Sequence, residues 1–86
     1  MASVEVYTTP VCPYCVRAKA LLARKGVAYT EIDVSRDATL RDAMIQKAGG
    51  RRTVPQIFID GHHVGGCDDL HDLDRQGGLD KMLGLA

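Results

Sequence analysis

The chain is poor in cysteine, and its charges leave no excess of either sign. Three cysteines in 86 residues are too few, and odd in number, to staple a secreted scaffold with disulfides. Eleven basic side chains cancel eleven acidic ones, so no net field draws the chain to nucleic acid or to a membrane surface, and neither partner is expected. No run approaches the roughly 18 apolar residues of a membrane span. The opening MASVEVYTT has no basic or apolar leader segment, its apolar run being broken at Glu5. Repeats, linkers and low-complexity tracts are missing too. Together these absences set the expectation of one domain over residues 1–86 in a reducing cytoplasm. There a Cys-x-x-Cys pair is catalytic or metal-binding rather than structural. So short a chain is expected to build one sheet-and-helix layer pair at most.

What is present alternates between strand and helix signals. Residues 3–8 (SVEVYT) read as a strand. Pro13 suits the first position of a helix running to Lys25, with Cys15, Ala18, Leu21, Leu22 and Lys25 on one side and Gly26 as its stop. Residues 28–34 make a second strand. Ser35 is the expected cap of a helix over 36–48, with Leu40, Met44 and Ile45 as its inner face. Residues 56–60 and 62–64 form a hairpin about Asp60-Gly61. A helix starts near Asp68, Gly77-Gly78 interrupts it, and a last short helix carries Leu79, Met82 and Leu83. The order is β-α-β-α-β-β-α, an α/β fold that opens with a right-handed parallel βαβ unit.

CPYC at residues 12–15 stands at the mouth of the first helix. A helix start carries partial positive charge and unpaired N–H groups, which favour a thiolate. Cys12 therefore suits an exposed attacking sulfur. Cys15, one turn further in with its side chain leaning back, suits an inner resolver. The other use of such a pair is structural zinc, which takes four ligands. Cys67, His62, His63 and His71 are the remaining candidates, and adjacent His62 and His63 on a strand point to opposite faces. The Cys-x-x-Cys beside a βαβ pattern favours redox chemistry and no metal.

Together, CPYC, TVPQIFID at 53–60 and GGCDDL at 65–70 resemble the dithiol glutaredoxins of bacteria, through essentially the whole chain. The resemblance implies a thioredoxin-like fold whose four-stranded mixed sheet, order 2-1-3-4, is flanked by helices. It implies a glutathione-dependent thiol–disulfide oxidoreductase that reduces protein–glutathione mixed disulfides and protein disulfides. Glutathione is then a cosubstrate, no cofactor is permanently bound, and the protein is a monomer. Carried over residue by residue, Pro55 is cis beside the cysteines, and Val54 pairs with the glutathione main chain as an added strand would. Thr53 lines the same groove, and Tyr14 flanks the ligand sulfur. Gly66, Cys67 and Asp68 receive the γ-glutamyl end, Asp68 pairing with its ammonium.

One position departs from the family. Many members carry a lysine three residues before the first cysteine, where this chain has Thr9. Arg41, Arg51 and Arg52 are the cations available in its place. Cys67 reads either as a small buried filler or as a third redox thiol. The histidines read as surface residues. Two other functions share the fold: a redoxin fed by thioredoxin reductase, and a [2Fe–2S] carrier in which two protomers share a cluster through Cys12 and glutathione. The TVP and GGCDD motifs count against the first, and Pro13 against the second.

Overall fold

A computed structural model describes residues 2–85 of the chain. Its centre is β1 (Val4–Thr8), which runs parallel to β2 (Thr30–Asp33) and antiparallel to β3 (Gln56–Ile59). β4 (His62–Gly65) closes the hairpin with β3, giving the order β2-β1-β3-β4. This is the expected mixed sheet. At the hairpin tip Asp60 and Gly61 have φ of 51° and 80°, the paired left-handed conformation of a tight two-residue turn. The Asp60 carboxylate also accepts from Ser3 N–H at 2.8 Å, tying the start of the chain to the hairpin.

Period-two alternation divides the strands between two cores. Val4, Val6, Ile57 and Ile59 point to one face. There they pack against α1 (Pro13–Arg24), α3 (Cys67–Arg75) and α4 (Gly78–Leu83) through Ala18, Leu21, Leu22, Leu70, Leu79 and Leu83. Tyr7 and Phe58 point the other way, their rings edge-to-face at 5.5 Å, and meet α2 (Ala38–Lys47) through Met44 and Ala48. The chain thus builds three layers, one more than its length led us to expect. A single helix suffices for the third because so little surface is left to cover.

Three local expectations are corrected. The α2 cap is Asp37, whose carboxylate accepts from Thr39 and Leu40 N–H at 2.9 and 3.2 Å. Ser35 instead donates its own N–H to Asp33 in the preceding turn, so the helix starts later than residue 36. Leu40 is 38% exposed, because α2 meets the sheet a turn further on, at Met44. Lys25, expected within α1, is instead its C-cap. Its ammonium bridges Asp74 and Asp80 at 2.7 and 2.9 Å, tying the end of α1 to α3 and α4.

Candidate active site

Three chain segments converge at one end of the sheet, past the end of β1, the start of β3 and the end of β4: the start of α1, the loop entering β3 and the β4–α3 junction. Cys12 is the N-cap of α1, extended at φ −149° and ψ 102°. Its sulfur takes the place of a capping oxygen and accepts from Cys15 N–H at 3.1 Å. The thiol also faces the Val54 carbonyl at 3.8 Å, so the sulfur lies against the loop before β3. A thiolate at this position keeps the helix N–H as its donor.

Cys15 is in a different environment. It is 1% exposed, and its thiol is pushed up to about 12, by burial first and then by its contact with the Cys12 side chain. It therefore holds its proton at neutral pH. One accessible sulfur and one buried, protonated thiol stand a helical turn apart, and both are free. That asymmetry suits attack by the first and resolution by the second.

A groove of about 230 Å³ lies beside the CPYC segment, which contributes Tyr14 to its lining. Tyr14, 55% exposed, stands at one end. Thr53, Val54 and Pro55 form one wall, with the Val54–Pro55 bond cis. Gly66, Cys67 and Asp68 form the other, where α3 begins and its first N–H groups have no partner within the helix. Among the arginines, Arg51 lines the groove. Arg41 instead donates to the Arg52 carbonyl at 3.0 Å, and neither of these two borders it. Cys67 is 4% exposed, and burial raises its thiol; His71 Nδ1 lies 3.5 Å from its sulfur and 2.9 Å from its carbonyl oxygen. Thr9 lies by Lys19, Glu31 and Asp33, in a separate surface hollow.

Asp69 organises the second wall. Its carboxylate accepts from Gly66 N–H at 2.8 Å and from Arg51 Nη1 at 2.9 Å. The backbone bond first, and the arginine second, hold it below the usual carboxylate range. Gly65, at φ 120°, leaves room for this, since a Cβ there would run into the Asp69 carboxylate. Asp69 stands three residues after the Gly66 cap, the spacing at which an acidic side chain reaches back to the cap N–H. That signal was available in GGCDDL. Gln56, which holds Thr53 from beneath, carried none. Among the described residues no three His, Cys, Asp or Glu side chains gather as metal ligands.

An accessible thiol at a helix start, a buried partner one turn in and a thioredoxin-like fold define a thiol–disulfide oxidoreductase. Residues 4–64 match the family described as Glutaredoxin. The chain is 58% identical over 83 residues to glutaredoxin 3 of Escherichia coli K12, covering 96% of this chain and 99% of that one. It is 56% identical to glutaredoxin 1 of Rickettsia conorii, covering 94% and 80%. The solution structure of a Brucella melitensis glutaredoxin superposes with a TM-score of 0.86 at 55% identity, covering 99% and 91%. A crystal structure of a buckwheat glutaredoxin–glutathione complex superposes with a TM-score of 0.88 at 35% identity, covering 96% and 77%. The chain belongs to the glutaredoxin family, and its activity is glutathione-dependent thiol–disulfide exchange.

Proposed function

We propose that Cys12 takes glutathione from protein–glutathione mixed disulfides, and that Cys15 is needed only for protein disulfides. The observation that carries this reading is the Cys12 sulfur, held between the Cys15 N–H and the Val54 carbonyl, beside a groove lined by the Val54 segment and the start of α3. The buckwheat relative solved with glutathione supports the same ligand here. The Val54 main chain pairs with the tripeptide backbone, flanked by Thr53 and Pro55. The helix start at Gly66, Cys67 and Asp68 takes the γ-glutamyl carboxylate and ammonium. Arg51, held by Asp69, supplies the cation that Thr9 lacks. Tyr14 shields the sulfurs.

In the first step the Cys12 thiolate attacks the glutathione sulfur. The S–S bond to the protein breaks, and the protein leaves as a thiolate that takes a proton from water. Cys12 is then joined to glutathione. A second glutathione thiolate attacks that disulfide, releasing oxidised glutathione and restoring the Cys12 thiolate. With a protein disulfide, Cys12 forms the mixed species; Cys15 then attacks the Cys12 sulfur, its proton passing to the protein thiolate that leaves. Two glutathione molecules then reopen the Cys12–Cys15 bond. Glutathione is thus a cosubstrate, consumed and released. We place this activity in the cytoplasm, in a monomer of one domain over residues 1–86. No helix among the described residues is long and apolar enough to cross a membrane.

The test compares one peptide carrying either glutathione or cysteine on its thiol. The groove reading predicts faster reduction of the glutathionylated form. Equal rates would show that the groove contributes nothing.

A further inference from the structure

Gln56 is a polar side chain with no exposure at all, and both ends of its amide are used. Its Nε2 donates to the Thr53 carbonyl at 3.0 Å and to the Thr53 hydroxyl at 3.1 Å. Its Oε1 lies 2.6 Å from His63 Nε2, across the β3–β4 hairpin. A backbone carbonyl can only accept, so the amide NH₂ group must face Thr53. Its oxygen is then left for His63, whose Nε2 must carry a proton. The tautomer is fixed by a threonine it does not touch. The ring is also held in place, stacked on Phe58 with centroids 5.0 Å apart and planes 31° apart.

We infer that His63 is a positioning residue for the glutathione groove, its Nε2–H fixing the Gln56 amide that in turn holds the Thr53 wall. This rests on the glutathione reading above and extends it to a residue that does not line the groove. The direction of the chain is physical. If the histidine donor is lost, a buried carbonyl oxygen is left without a partner. Gln56 then relieves this by turning its amide or admitting water, and either change frees Thr53. Partial burial and then the Arg51 charge keep the ring below the ordinary histidine range, with Asp69 acting the other way. At neutral pH the ring therefore has one proton, and its placement matters. On protonation Nε2 remains a donor, so the contact persists through the titration.

The test uses His63→Phe, which keeps the ring on Phe58 but has no donor, and His63→Gln, whose side-chain N–H can stand in for Nε2–H. Three quantities are measured on the full chain: the rate with a glutathionylated peptide, the rate of Cys12 alkylation by iodoacetamide, and the melting temperature. The expected result is a drop of about fivefold in the first for His63→Phe, the equivalent of one hydrogen bond. Alkylation should be unchanged, and His63→Gln should recover the peptide rate. ¹⁵N shifts should place the His63 proton on Nε2 in the parent. An unchanged peptide rate in His63→Phe overturns the inference. So does a parallel fall in alkylation, a fall that His63→Gln does not repair, or a proton on Nδ1. A parent that reduces glutathionylated and cysteinylated peptides equally would overturn the groove reading itself, and the ¹⁵N shifts would still decide the hydrogen-bond chain.

Discussion

Among the described residues, eleven buried ones from β1, β3, α1, α3 and α4 pack into a continuous core on one face of the sheet; on the other, five lie between the sheet and α2. The start of α1 and the β4–α3 junction, which carry the active-site thiols and one groove wall, are anchored in the deeper side. Cys15 opens the buried stripe of α1, and Cys67 is both a groove residue and a core residue. Ile57 and Ile59 fix the strand that follows Pro55. The α2 side underlies the other wall, where Val54 packs partly against its core and Gln56, bonded to His63 beside Phe58, holds Thr53. Arg41 of α2 turns to the Arg52 carbonyl. Attack on a disulfide lines up three sulfurs, the attacking, the attacked and the leaving one, so the thick core lies under the segment that places the two active-site thiols.

The comparison can be broken by cutting each core once. Leu22→Ala, in the deep core, should cost about 2–5 kcal/mol of unfolding free energy, and enough mobility at α1 to slow the reaction. Met44→Ala, under α2, should fall at the lower end of the same range, because the thinner layer collapses into the space more easily. Its activity, assayed well below its melting point, should be close to that of the parent. Urea melts and peptide-reduction rates of the two variants decide this. A larger stability loss for Met44→Ala, or a larger activity loss, would reverse the account.

A smaller effect separates the groove wall from the core beneath it. The Asp69 carboxyl is held below its ordinary range, so its contribution is present above the ordinary carboxylate range and is lost as pH falls through the folded-state value. Asp69→Asn should therefore be less stable than the parent at neutral pH and equal to it in acid, where both side chains are neutral. The side chain is 44% exposed, so the neutral-pH difference should stay below about 1 kcal/mol. Melting curves against pH test this; a difference that persists in acid would assign the loss to shape rather than charge. Smallest of all should be Lys25→Met, which removes the bridge to Asp74 and Asp80. A slight fall in melting temperature that vanishes in high salt is expected, and a salt-independent fall would point to packing of the stem.

Much of this was legible in the sequence because the signals were local. SVEVYT and QIFID alternate, Asp60-Gly61 allows one kind of turn, and Pro13 with Cys12 marks a helix start. What was not legible depends on partners far along the chain. Ser35 and Asp37 are both good caps by residue type; Ser35 lies in the turn that Asp33 closes, and it is the Asp37 carboxylate that reaches the Thr39 and Leu40 N–H groups. Which of three arginines reaches the groove is set by Asp69, eighteen residues after Arg51. Leu40 looked like core by spacing alone, and the place where α2 meets the sheet left it outside. The Gln56–His63 contact exists only once the hairpin pairs.

In the proposed reaction Cys12 and the groove suffice for glutathionylated substrates. The most direct measurement is the rate at which Cys15→Ser reduces a glutathionylated peptide, with glutathione, glutathione reductase and NADPH present, beside Cys12→Ser as the inactive control. The account predicts substantial activity for Cys15→Ser and none for Cys12→Ser. Loss of activity in Cys15→Ser would contradict it, making the buried thiol obligatory and the groove secondary.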